Sequence, residues 1–172
     1  KKKLKKNGII VEGTAGNTGI GLTLVGNSFG FKSVIVMPKT QSEEKKNELR
    51  SYGAELTLVP AVPYSNPKNY VRYSETLANN IQKNNKKKSV LWANQFDNLA
   101  NYQAHYETTG PEIWKDTKGK IDGFVCSVGT GGTIAGIGSF LKKKNKKIKI
   151  GLVDPFGSAL HNYYKNGELK ST

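Results

Sequence analysis

Short apolar runs rich in β-branched residues recur along the chain, at Ile9-Ile10-Val11, Val34-Ile35-Val36-Met37, Leu56-Thr57-Leu58-Val59, Ser89-Val90-Leu91-Trp92, Phe124-Val125-Cys126 and Ile148 to Val153. Between them, mixed polar and apolar stretches predict helices near Thr18 to Ser28, Ser42 to Tyr52, Lys68 to Lys83, Leu99 to Thr117 and Thr133 to Lys144. Strand alternating with helix is the pattern of a mostly parallel sheet covered on both faces. The predicted class is therefore α/β, with open, mostly parallel twisted sheets and helices on both faces.

Local signals agree with this pattern. Ser42, followed by Glu44 and Lys45, has the form of an N-cap with an acidic first turn, and Gly53 closes the same helix. Pro60, Pro63 and Pro67 break the segment between the third strand and the next helix into a surface loop. A boundary between two sheet units is expected near Asn94 to Asn98, giving one unit over residues 1–95 and a second over 96–172. The opening Lys1 to Gly8 reads as the end of a lysine-rich helix stopped at Gly8.

At 172 residues the chain has room for one domain, or one domain and part of another, at about 150 residues per domain. It begins without methionine and ends without a closing element, which reads as truncation at both ends. No apolar run approaches the roughly 20 residues that cross a bilayer, and the basic opening lacks the apolar core of a secretory signal. The net charge of +14 raises nucleic acid as a partner. The lysines, however, fall in separate runs at predicted helix ends, such as Lys86 to Lys88 and Lys142 to Lys147, without interleaved aromatics, so neither nucleic acid nor membrane is expected as a partner. One cysteine, Cys126, within an apolar strand, reads as a small hydrophobe rather than a nucleophile, and with two histidines the chain offers no metal cluster.

Candidate chemistry concentrates in two glycine-rich turns, Gly13-Thr14-Ala15-Gly16-Asn17-Thr18-Gly19 and Gly129-Thr130-Gly131-Gly132-Thr133. Each follows a predicted strand and opens a predicted helix. Glycines let backbone N–H groups converge on a ligand, and a helix start adds unpaired donors and a favourable dipole for carboxylate or phosphate. Two such loops suggest a small molecule with two anionic ends. After Gly132 there is no lysine followed by serine or threonine, which excludes the nucleotide triphosphate loop, and Ile134 stands where the dinucleotide fingerprint requires glycine or alanine. A third element, Asn94-Gln95-Phe96-Asp97-Asn98, follows the fourth strand, where α/β sheets bind ligands. Gln95 there either orients a substrate carboxylate or belongs to a polar turn capping the next helix.

Taken in order, Thr14-Ala15-Gly16-Asn17-Thr18-Gly19, Asn94-Gln95-Phe96, Thr108-Thr109-Gly110-Pro111-Glu112-Ile113-Trp114 and Gly129-Thr130-Gly131-Gly132-Thr133 resemble cysteine synthase, the O-acetylserine sulfhydrylase family of the tryptophan synthase β-like pyridoxal phosphate fold. Val153-Asp154-Pro155-Phe156-Gly157-Ser158 and the proline-rich insertion resemble its fungal, mitochondrially associated group. The resemblance implies β-replacement of O-acetyl-L-serine by sulfide to give L-cysteine and acetate, with pyridoxal 5'-phosphate as cofactor. Cystathionine β-synthase and serine/threonine dehydratase share the fold and stand as alternatives, as does an inert fragment.

By the same resemblance, Thr14, Ala15, Gly16, Thr18 and Gln95 bind the substrate carboxylate, so residues 1–95 form a smaller substrate-loop domain. Asn17 contacts the cofactor ring hydroxyl, and Gly129, Thr130, Gly131, Gly132 and Thr133 hold its phosphate within a larger domain to which residues 96–172 belong. Ala15 departs from the serine usual at its position and removes one hydroxyl. The Schiff-base lysine of the family lies in a segment preceding the first loop that this sequence does not contain, so no catalytic residue is assigned. A homodimer and a mitochondrial address, with the cytoplasm as alternative, are implied by resemblance alone. His105 and His161 read as local packing or capping residues, Trp92 and Trp114 as core aromatics, and Asp97 and Asp154 as turn residues at strand ends.

Overall fold

A computed structural model describes residues 4–170. The chain divides into two compact units at Gln95 and Phe96.

The first unit is a four-stranded sheet of β1 (Ile9–Gly13), β2 (Lys32–Pro38), β3 (Glu55–Val59) and β4 (Val90–Trp92), in the order β3-β2-β1-β4 with every pair parallel. Three helices connect them: α1 (Asn17–Ser28), α2 (Glu43–Ser51) and α3 (Tyr70–Asn84). Successive residues of β2 point to opposite faces, and the sequence supplies apolar residues for both. Val34 packs with Ile9, Val11 and Ala78 on the α3 side. Ile35 and Met37 pack with Leu49 and Ala54 on the side of α2. Each large aliphatic side chain fully buried here stabilises the unit by about 2 kcal/mol.

Caps set the helix bounds. The Ser42 hydroxyl accepts from the Lys45 N–H, Glu43 and Glu44 complement the positive end of α2, and Gly53 at φ 86° follows its last turn. The proline segment before α3 is a loop, held where Asn69 donates to the Val62 carbonyl and Arg72 to that of Ser65. Lys1 to Lys3 of the expected N-terminal helix lie outside the described residues. Its remainder, Leu4 to Gly8, is not helical: Gly8 N–H closes a turn on the Lys5 carbonyl, with Asn7 left-handed at φ 62°. Glycine and asparagine favour a tight turn over a helix end here.

The second unit contains α4 (Ala100–Glu107), α5 (Thr109–Asp116), β5 (Gly123–Ser127), α6 (Gly132–Lys144), β6 (Lys149–Val153) and α7 (Ala159–Asn166). β5 and β6 pair in parallel, and α6 packs Ile137 and Leu141 with Ile148 against Phe124 and Ile150 of the sheet and Ile113 and Trp114 of α5. The described helices cover only that face; Val125 and Val153 on the other are 62% and 54% exposed. The single helix expected from Leu99 to Thr117 is two, broken at Thr108 (φ −120°, ψ −72°). Pro111 lacks an N–H and its ring would crowd the Glu107 carbonyl in a continuous helix. α7, absent from the periodicity reading, is defined by its ends: Ser158 accepts from Leu160 N–H, and Gly167 stops the helix at φ 78°.

Candidate functional site

β1 is an inner strand, so its C-terminal end is fixed from both sides, and Thr14 N–H extends the pairing to the Val36 carbonyl at 3.0 Å. The chain then turns at Gly16, the N-cap of α1, whose N–H bonds the Thr14 hydroxyl oxygen at 3.2 Å. Gly19 N–H returns to the Gly16 carbonyl, while Asn17 and Thr18 occupy the first turn, where backbone N–H groups have no intrahelical acceptor. No acidic side chain lies in that turn to occupy its positive end.

Gln95 comes to this loop from the end of β4. Its Nε2 donates to the Gly13 carbonyl at 3.2 Å, and its Oε1 accepts from the Thr18 hydroxyl at 2.7 Å. Gln95 thereby braces the loop from the end of β4. Asn17 sits exposed at the start of α1, Thr14 and Gly16 are buried, and Ala15 and Thr18 are half-buried.

Two further groups at this loop escaped the sequence reading. Glu12, the last side chain of β1 before the turn, is 1% exposed, and its Oε1 accepts from Gln95 N–H at 3.4 Å. Burial pushes its carboxyl from the ordinary 4.5 up to about 7, against the pull of the Gln95 and Asn94 backbone N–H groups. A lone charge inside an apolar strand run was the available signal. Lys45 of α2 lies over Gly16: its Nζ is 3.6 Å from where a side chain on that glycine would begin, bringing a cation to the loop.

In the second unit, β5 leads into Gly129, Thr130 and Gly131, and α6 begins at Gly132. Gly131 takes φ 85°, a left-handed conformation that favours glycine, and is the N-cap of α6. Side chains added at Gly129 or Gly131 would meet nothing within 4 Å, so the rim of the turn is open. Gly132 and Gly136 differ, because they face α4. A Cβ on Gly132 would strike the Asn101 side chain, and one on Gly136 would come within 2.5 Å of the Tyr102 carbonyl oxygen.

α4 thereby brings two side chains to the turn. Asn101 Nδ2 donates to the Thr130 hydroxyl oxygen at 2.7 Å, leaving the hydroxyl proton free for another acceptor. His105 spans two hydroxyls, with Nδ1 3.0 Å from Thr109 Oγ1 and Nε2 3.1 Å from Thr133 Oγ1. A neutral imidazole donates through one nitrogen and accepts through the other. When Nε2–H donates to Thr133, that hydroxyl can donate to an anion; the other tautomer consumes the proton. The expectation of local packing or capping for His105 holds for its bond to Thr109 but not for its contact to the loop, although the i, i+4 spacing of Asn101 and His105 puts both on one helix face.

The second turn fits a phosphate. It combines an open rim, two threonine hydroxyls with fixed oxygens, first-turn N–H groups and no acidic residue in the first turn of α6. Other candidates take structural roles. Asp154 accepts from His161 N–H at 2.9 Å near the start of α7, and Trp92 donates to the Ser74 hydroxyl. Burial raises the Cys126 thiol, which disfavours a reactive thiolate. Among the described residues no His/Cys/Asp/Glu cluster could hold a metal, and no helix is long and apolar enough to cross a membrane.

Residues 1–172 match the family model described as pyridoxal-phosphate dependent enzyme. The chain is 53% identical over 169 residues to cysteine synthase 1 of Emericella nidulans, an alignment covering 95% of this chain and 43% of that protein. It is 40% identical over 163 residues, covering 94% and 42%, to a Saccharomyces cerevisiae protein provisionally named a mitochondrial cysteine synthase. Among solved structures it is similar to a hydrogen sulfide-producing enzyme from Fusobacterium nucleatum, with a TM-score of 0.81 and 37% identity over 98% of this chain and 48% of that one. The chain therefore spans about two fifths of the length of these curated relatives. With a family model matching from end to end, the chain belongs to the pyridoxal-phosphate dependent enzyme family.

Proposed function

We propose that the protein carrying this chain is a cysteine synthase that replaces the acetoxy group of O-acetyl-L-serine with sulfide, giving L-cysteine and acetate. The observation that carries this reading is the double contact of Gln95 with Gly13 and Thr18, which fixes a turn whose helix-start N–H groups suit a carboxylate. The relatives named as cysteine synthases support the same substrate class.

In this reading residues 1–95 form the substrate-loop domain. Thr14, Ala15, Gly16 and Thr18, with Gln95, orient the amino-acid carboxylate, and Lys45 adds positive charge beside it. Asn17 faces the cofactor ring, and residues 96–172 belong to the cofactor-phosphate domain. There Gly129 to Thr133 hold the phosphate through backbone N–H groups and the Thr130 and Thr133 hydroxyls. When bound, pyridoxal phosphate supplies the electron sink for departure of the α-proton and the β-acetoxy group. The contribution of this chain is orientation, which converts binding into a productive geometry. A homodimer and a mitochondrial location accompany the proposal, the latter supported by the yeast relative.

The full-length protein tests it. Cysteine is expected from O-acetyl-L-serine and sulfide. Gln95→Ala is expected to raise KM for O-acetyl-L-serine at least tenfold, on the order of 1.5–3 kcal/mol for a lost bond to a charged group, with cofactor affinity unchanged. Thr130→Val is expected to weaken pyridoxal phosphate by a similar factor and leave KM unchanged at saturating cofactor. Absence of cysteine formation by the unaltered protein overturns the activity; crossed effects of the two variants overturn the division of labour.

A further inference from the structure

The carboxyl of Glu12 has no role in the reading above, and it is an unusual group to find beneath a carboxylate receptor. It is 1% exposed, and among the described residues its Oε2 has no hydrogen-bond partner. Asn94 Oδ1, in the turn whose backbone N–H groups bond the same carboxyl, is a second buried acceptor without a donor. The corner thus has acceptors to spare, and a proton on the carboxyl turns one of them into a donor.

Among the described residues, the elements packed around Glu12 bring it no compensating cation. α1 and β4, which flank β1, contain no titratable residue, and β2 contains only Lys32, paired with Ile9 at the opposite end of the strand. α3 brings Tyr70, whose own ionisation is held back by burial and by the Glu12 charge. Arg72 and Glu75 of that helix are exposed. Lys45 lies by Gly16, on the receptor itself.

Gln95 joins the two sites. Its backbone N–H and its side chain both bond Glu12, and the side chain also holds Gly13 and Thr18. A carboxylate seated on the receptor would thus be linked to Glu12 through one residue, and a second negative charge beside a buried carboxyl disfavours its ionisation. We propose that Glu12 is a positioning residue that takes up a proton when a substrate carboxylate binds, so that carboxylate affinity is linked to pH through this one buried side chain. The inference rests on the carboxylate-receptor reading of the first turn. It is favoured by the resting position of the group: with its carboxyl already pushed up to about 7, a modest further rise moves it across neutral pH.

The test uses the full-length protein and propionate, a carboxylate without an amine. Raising the Glu12 value by about one unit on binding weakens propionate at least fivefold between pH 6 and pH 8.5, with uptake of about half a proton per ligand near pH 7.5. Calorimetry in buffers of different ionisation enthalpy counts that proton. Glu12→Gln, which imitates the protonated form, is expected to bind propionate with no such slope and no uptake. In the unaltered protein, difference infrared spectra with 13C-propionate are expected to show a protonated protein carboxyl appearing on binding, a readout that needs no variant. Propionate binding with a flat pH profile and no new carboxyl band overturns this inference alone, as does an unchanged slope in Glu12→Gln. Failure of propionate to bind at any pH overturns the receptor reading and this inference with it.

Discussion

The two glycine turns share a strand, a tight turn and a helix start, but they are braced from different directions. The first hangs from an inner strand of a four-stranded sheet and is held by Gln95, a polar side chain delivered by the end of a neighbouring strand. The second follows a strand of a two-stranded pair and is held by a helix, α4, whose Asn101 and His105 reach the Thr130 and Thr133 hydroxyls. Bracing by a strand end leaves α1 free on its outer surface. Bracing by a helix demands that α6 present bare backbone, which is why glycines continue past the turn at Gly132 and Gly136. One composition therefore answers two physical needs, and the difference can be tested.

The largest expected effect is at Gly136. A Cβ there meets the backbone of α4 at Tyr102 and Tyr106, which cannot move as a side chain can. Gly136→Ala is expected to cost about 3 kcal/mol of stability and to weaken phosphate at the second turn, measured by denaturant unfolding and pyridoxal phosphate titration. Normal stability in that variant breaks the argument for helix bracing.

Next is the charge buried under the first turn. Glu12 titrates near 7 in the folded protein against 4.5 ordinarily, so between those values the folded chain holds a proton that the unfolded chain has released. Stability therefore falls as pH rises through that window and levels off above about 7, by about 3 kcal/mol for this group. Unfolding midpoints measured from pH 5 to pH 8 are expected to show that slope, and Glu12→Gln to flatten it.

The smallest effect has the opposite sign. Gly21 lies inside α1 with nothing within 4 Å of an added Cβ and no left-handed backbone. Gly21→Ala is expected to stabilise the first unit by up to about 1 kcal/mol, through helix propensity alone. A loss of stability there would mean that α1 is packed on its outer face as tightly as α6.

Much of this was legible beforehand because it is local. Apolar runs marked the six strands of the described residues, Ser42 and Gly53 marked the ends of α2, and the glycine turns fell where strands meet helices. The errors were local too. Pro111 interrupts what the pattern reads as one helix, the Ser158 and Gly167 caps bound a helix that the apolar pattern does not show, and Leu4 to Gly8 form a turn where a helix end is expected.

The sequence by itself determined the alternation of strand and helix, the two glycine turns between strand and helix and the family, since these depend on residues within a few positions of each other or on their linear order. Only the tertiary structure decided that Gln95 braces the first turn, that His105 and Asn101 reach the second, that Gly136 answers to α4, and that Glu12 holds its proton toward neutral pH. Hydrogen-bond partners, close approach and desolvation are set by which distant segments meet. The same glutamate on a solvent-exposed strand would titrate as an ordinary carboxylate.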